Sequence, residues 1–171
     1  MRRVAVLLLA LAALACGRGA YTVQPNGPTR VDYSPAEKIR VMLPPAGNQG
    51  EEGGRVIAGR VVQVLQQTHA DVQLIASSDR TAALAEAKAA GARFLIQPAV
   101  TEWSQGTAPP FTADQIGVRL DLIDVGTGTV ANTVTYANSS SLFSVSDTPP
   151  SSLLDSRFDD AVRALIGSAP R

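Results

Sequence analysis

The 171-residue sequence predicts an α/β (α+β) fold, a mixed β-sheet with helices packed on it in the order β-α-β-α-β-β-β-α. Three observations lead there. Two strand-to-helix units follow one another from Lys38 to Ala90 and deliver the chain to a third apolar run at Phe94. The stretch Gln115 to Val125 alternates apolar and polar residues and ends in the turn Gly126-Thr127-Gly128. A final stripe, Leu154, Phe158, Ala161 and Leu165, has helical spacing.

The first strand is Lys38-Ile39-Arg40-Val41-Met42-Leu43, with Ile39, Val41 and Leu43 on one face and Pro44-Pro45 as its stop. Gly47 to Gly54 then leads into a helix over about Glu52 to Thr68, whose Ile57, Val61, Val64, Leu65 and Thr68 form the buried stripe. A strand, glycine-rich loop and helix can cradle phosphate, but Gly53-Gly54-Arg55-Val56 stands where a P-loop needs Gly-Lys-Ser/Thr. Glu51 and Glu52 repel an anion there and suit the positive end of the helix dipole.

Asp71 to Ala76 is the second strand, and Ser77-Ser78-Asp79 offers a cap for an alanine-rich helix over Arg80 to Ala90. Gly91 suits its left-handed C′ position. Phe94-Leu95-Ile96 is apolar without alternation, so the third strand is covered on both faces, while Pro98 marks a bulge or an edge further along. Two successive β-α-β crossovers imply a partly parallel sheet with right-handed connections. Ile116, Val118, Leu120 and Leu122 then alternate against Gln115, Gly117, Arg119 and Asp121, so a hairpin with one wet face follows. Val130, Val134 and Tyr136 cover its core side. The last helix begins near Ser152, with Asp155 three places on as a capping box of the aspartate kind.

The N-terminus is of another kind. Met1-Arg2-Arg3 precedes a twelve-residue apolar run, Val4 to Ala15, which ends in Ala13-Leu14-Ala15 directly before Cys16. A basic start, a short apolar core and a small-x-small triplet form a secretory signal peptide, too short to span a bilayer. Residues 1–15 are therefore the leader. Cys16, the only cysteine, falls first after the cut and reads as a lipidation site, which makes the lipid bilayer a partner through its acyl chains. The alternative is an ordinary A-x-A cut that leaves a bare thiol. Gly17 rather than aspartate at the next place gives the outer membrane as the default address, with the domain facing the periplasm. Residues 16–35, with three prolines, read as a flexible tether with a mean reach of roughly 25 Å. Tyr21, Val23 and Tyr33 docking on the domain as an edge segment is the other reading. Residues 36–171 form a single globular domain.

Composition narrows the function. Net charge is zero, the chain has two lysines, and its arginines are scattered among acids, so no nucleic-acid surface is expected. With one histidine and one cysteine, no metal centre and no cofactor are expected. That histidine, His69, closes the first helix, where a C-terminal cation or a solvated cap is its ordinary role.

Three segments carry a resemblance: Gly91-Ala92-Arg93-Phe94-Leu95-Ile96-Gln97-Pro98, Thr101-Glu102-Trp103, and Asp114 through Gly128. They resemble a family of short proteobacterial envelope lipoproteins known as a domain of unknown function, over roughly residues 36–167. The pattern is more distantly similar to the N-terminal domain of the Tol-Pal translocation protein and to lipoprotein activators of peptidoglycan synthases. That resemblance implies protein binding without catalysis. Glu102-Trp103 departs from the Trp-Glu order of the narrow family.

The expectation is therefore a non-catalytic, lipid-anchored accessory module of the cell envelope with a protein partner. Candidate interaction residues are Trp103 and Phe111, in a proline-containing loop between the third and fourth strands, together with Glu102 and Phe143. Trp103 folded over the sheet edge as a core lid is the structural alternative. The functional alternative is a wall-active enzyme using Glu102, Asp121 or Asp124 as a carboxylate pair, or a small-ligand carrier under the 103–113 loop.

Overall fold

The computed structural model describes residues 19–25, 34–45, 51–104, 113–140 and 149–167. Cys16, Phe111 and Phe143 lie outside them. In chain order the elements are β1 (Ala20–Pro25), β2 (Ile39–Met42), α1 (Glu51–Leu65), β3 (Val72–Ile75), α2 (Arg80–Ala89), β4 (Phe94–Ser104), β5 (Gln115–Asp124), β6 (Val130–Ser139), a 3₁₀ turn (Pro150–Leu153) and α3 (Ser156–Leu165). The strands make one six-stranded sheet, ordered β1-β6-β5-β4-β2-β3. β2 is parallel to β3 and β4, and the β4, β5, β6 and β1 pairings are antiparallel. The α+β class and the mixed sheet are as the sequence predicts.

Each face of the sheet has its own core. On one, Ile39, Val41, Phe94, Ile96, Val118, Leu120, Leu122, Val134 and Tyr136 meet Ile57, Val61, Val64 and Leu65 of α1 and Phe158, Ala161, Val162 and Leu165 of α3. On the other, Met42, Ile75, Leu95 and Ile123 meet Ala83 and Ala87 of α2. Phe94-Leu95-Ile96 is buried on both faces, which is why it lacks alternation. Alanines let α2 sit close to its strands. Asp79 caps α2 by accepting from Ala82 N at 2.8 Å, and Gly91 takes φ +66° just past its end.

Three sequence readings shift, and Pro98 stands as read, beside a strand edge with a bulge further along. The segment read as a tether contains β1, whose Tyr21 and Val23 register with Tyr136 and Val134 of β6, so the docking alternative is realised for residues 20–25. Pro98 lies within the β4 ladder opposite Leu120, and the register shift falls between Val100 and Glu102. Proline is tolerated there because β2 pairs with β4 only over Phe94 to Ile96, so that among the described residues no ladder draws on the outer side of β4 at Pro98. Val130 belongs to the α2 side, displaced by an irregularity between Leu122 and Ile123. Finally, α3 starts at Ser156: Pro150 opens a 3₁₀ turn, and Asp155 is itself the cap, its Oδ1 accepting from Arg157 N at 2.8 Å and Phe158 N at 3.3 Å.

Side-chain bonds tie the layers together. Arg60 on α1 makes a forked pair with Asp159 on α3, at 2.9 and 2.7 Å. Asn132 on β6 donates to the Leu165 carbonyl at 2.8 Å, satisfying one of the carbonyls left open at the end of α3. Among the described residues, no helix is long and apolar enough to cross a membrane.

Candidate interaction site

Strand register places Glu102 and Trp103 at one end of the sheet. Ser104 pairs with Gln115 and Gln115 with Ser139, so β4 ends, β5 begins and β6 ends at the same level. Phe111 and Phe143 lie in segments 105–112 and 141–148, outside the described residues. β1 begins beside this end of the sheet, Ala20 opposite Ala137. Helices α1 and α3 start at this pole too: Gly53 of α1 lies against Trp103, and Leu153 and Asp155 ahead of α3 are bound by Tyr136 and Asn138.

Trp103 belongs to β4 rather than to a loop, because the strand runs on to Ser104. It pairs with Ile116, is half-buried, and packs on the α1 and α3 side of the core. The indole sits so close to α1 that a Cβ on Gly53 would lie 2.8 Å from Trp103 Cδ2 and 2.9 Å from Cε2. Only glycine admits that approach. Gly53→Ala is therefore expected to shift the emission of Trp103, the sole tryptophan, to the red as the ring is driven toward water, despite alanine's better helix propensity of about 1 kcal/mol. An unchanged emission maximum with a raised melting point would contradict this packing. Glu102, on the opposite strand face, is half-buried beside the register shift and opposite Gly117. A Cβ on Gly117 would lie 3.1 Å from Glu102 Cβ and 3.2 Å from its backbone nitrogen.

Tyr136 anchors this pole. It is fully buried, donates to the Leu153 carbonyl at 2.5 Å, lies 3.1 Å from Asp155 Oδ1 and accepts from Asn138 Nδ2 at 3.0 Å. Its ring meets Phe158 edge-on at 5.2 Å between centroids. Burial, reinforced by the Asp155 charge, pushes the phenol well above its usual range, so it stays protonated and keeps its donor.

The carboxylates proposed for glycoside cleavage do not share a site. Glu102 lies opposite Gly117 and Asp121 opposite Gln97. Four residues of β5 therefore separate them, about 14 Å at strand rise, beyond the roughly 5 to 9 Å that a catalytic pair needs. Asp121 is also occupied, by Thr133 Oγ1 at 2.8 Å and Arg119 Nη2 at 2.7 Å. Asp124, of opposite parity to Asp121 along β5, holds the hairpin turn through Thr127 N at 2.9 Å. Among the described residues, no three His, Asp or Glu side chains gather as metal ligands.

His69 is at the other pole, buried beside Thr68, whose Oγ1 is 3.0 Å from Nδ1. Burial lowers its pKa below 6.5, and the nearby Glu37 charge and the Leu65 backbone oppose the shift only in part. The folded state thus binds the proton less well than the unfolded chain. The stability from neutral His69 is fully present above about pH 6.5 and lost as pH falls through the lowered value. His69→Gln should flatten this part of the stability profile below neutrality, as read by urea unfolding at several pH values; an unchanged slope would contradict it.

Two apolar side chains that the sequence does not single out for binding stand exposed on the two outermost strands: Val23 on β1, 42 % exposed, and Leu74 on β3, 47 % exposed.

No protein-family model and no curated protein matches the chain. Solved structures do match. The PelC dodecamer of Paraburkholderia phytofirmans is 21% identical, with a TM-score of 0.64, over 86% of this chain and 91% of that one. A single-residue variant of the same dodecamer gives 20% identity and a TM-score of 0.68, over 90% and 99%. Protein XCC0632 of Xanthomonas campestris, assigned to DUF330, is 12% identical with a TM-score of 0.50, over 77% and 83%. What the chain holds in common with these proteins is the fold over most of its length, at identities that carry the fold and nothing more.

Proposed function

We propose that this chain is a lipid-anchored accessory protein of the cell envelope, held at Cys16 in the outer membrane with its domain in the periplasm, that works by binding other protein chains and catalyses no reaction of its own. The leader, the small-residue triplet and the single cysteine support the anchor. The resemblance to short envelope lipoproteins supports the address.

The observation that carries the binding role is the pair of sheet edges. Among the described residues, β1 and β3 each have one strand neighbour, and each exposes a large apolar side chain, Val23 or Leu74. An unpaired edge is a ready template for another strand, and many recognition modules work by adding one. The edges lie at opposite ends of one sheet, so joining one to the other is head-to-tail and closes into a ring when the rotation allows. Further copies of this chain are therefore the first partners to test. PelC, with the same fold, is a dodecamer, which supports that order.

A photo-crosslinking residue at position 23 or 74 in the intact cell is expected to capture a defined protein adduct, a multiple of the chain's own mass first among them. Val23→Asp or Leu74→Asp should weaken that association about 10- to 100-fold, the worth of one buried aliphatic side chain at about 1.5–3 kcal/mol. Capture at neither edge would sink the binding role.

A further inference from the structure

We infer that the domain stands upright on the bilayer, with the Ser104, Gln115 and Ser139 end of the sheet against the lipid surface and both free strand edges facing sideways. This rests on the anchoring at Cys16 proposed above.

Topology and chain length carry the inference. β1 runs antiparallel to β6 and begins at Ala20, opposite Ala137, two residues from the end of β6. The polypeptide leaving β1 toward the N-terminus therefore departs from this pole. Only four residue spacings separate Cys16 from Ala20, and a fully extended chain covers at most about 3.6 Å for each, about 14 Å in all. Three residues of antiparallel strand already span about 10 Å, and the nine spacings of β6 from Val130 to Ser139 span about 30 Å. Such a leash cannot bring the opposite pole, where the β5–β6 turn at Thr127 sits, to the membrane while β1 stays in the sheet.

β1 is well held in place. It pairs with β6 along its whole length, and Tyr21 packs against the core shared with α3. Gly19 is buried against the Tyr136 ring, where a Cβ would fall 2.5 Å from the phenol oxygen. Peeling β1 away to lengthen the leash would give up the ladder and this packing together.

The occupant of this pole is thus the lipid surface, brought there by the anchor. Trp103 comes to lie near the headgroups, at the level where indoles collect. With the strands near the membrane normal, β1 and β3 look along the membrane plane, so a partner at either edge must approach from the side. Neighbouring lipid-anchored copies meet that condition.

The test uses the full acylated protein in vesicles of phosphatidylethanolamine and phosphatidylglycerol. Acylation consumes the thiol of Cys16, so one added cysteine carries an environment-sensitive dye alone. Ser139→Cys and Ser152→Cys place it at the proposed contact pole, and Thr127→Cys at the far one; all three side chains are exposed. Nitroxide-bearing headgroups should quench most of the emission from positions 139 and 152 and leave position 127 nearly unquenched. Equal quenching at all three, or stronger quenching at 127, overturns the orientation, as does no quenching at 139 and 152. The mass of the N-terminal peptide from the same sample separates the two claims. An acylated peptide with the wrong quenching pattern overturns the orientation and leaves the anchor standing; an unacylated one overturns both.

Discussion

Replacing Cys16 by serine is expected to move the protein from wholly membrane-bound to wholly soluble in the periplasm. Two acyl chains of about 15 methylenes each, at about 0.8 kcal/mol per methylene, supply on the order of 20 kcal/mol of membrane affinity. No single contact of the domain approaches that. Ala13-Leu14-Ala15 still satisfies an ordinary signal cleavage, so the variant should be exported and cut rather than retained. Fractionation reads the outcome directly: a serine variant that stays with the membrane pellet at high salt would contradict anchoring through this residue.

The second large effect is expected at Tyr136. Tyr136→Ala empties a fully buried aromatic position and removes the donor to Leu153, so it should cost about 3–5 kcal/mol. For a domain of this size the melting midpoint should fall by roughly 10 °C or more. Tyr136→Phe separates the two contributions. It keeps the ring against Phe158, and Asn138 Nδ2 still donates to the Leu153 carbonyl at 2.9 Å, so the loss should be only about 1 kcal/mol. Equal losses in the two variants, measured by urea unfolding, would show that the hydroxyl rather than the ring holds the 3₁₀ turn and α3 to the sheet.

Local chemistry was readable in the sequence wherever it decided the structure. The second helix needed no tertiary information, because Asp79 and Gly91 bracket it with a cap and a left-handed stop. The hairpin followed from clean alternation up to Gly126-Thr127-Gly128, and the doubly covered centre of β4 from three apolar residues in a row. Non-local pairing hid the rest. β1 has a loop's composition, and only its partner β6, more than a hundred residues later, makes it a strand. The contact of Trp103 with Gly53 joins positions fifty residues apart, so the sequence supplies the tryptophan without its seat. Glu102 and Trp103 were legible as residues of interest. That the start of β1 and the starts of α1 and α3 share their pole was not, because it depends on the order of the strands in the sheet.

That shared pole changes the meaning of the N-terminal cysteine. A tether of residues 16–35 allows a mean reach of roughly 25 Å. On the anchoring proposed at Cys16, β1 in the sheet shortens the free leash to about 14 Å at most, which would keep the domain from swinging across the periplasm or turning its far end to the membrane. On that proposal, partners would come to it along the membrane.

The decisive measurement is the mass of the mature N-terminal peptide from protein isolated out of the cell envelope. A peptide that begins at Cys16 and carries acyl chains on it is the expected result. A peptide that begins elsewhere, or one with a bare thiol at Cys16, would contradict the anchor and the membrane-facing pole with it.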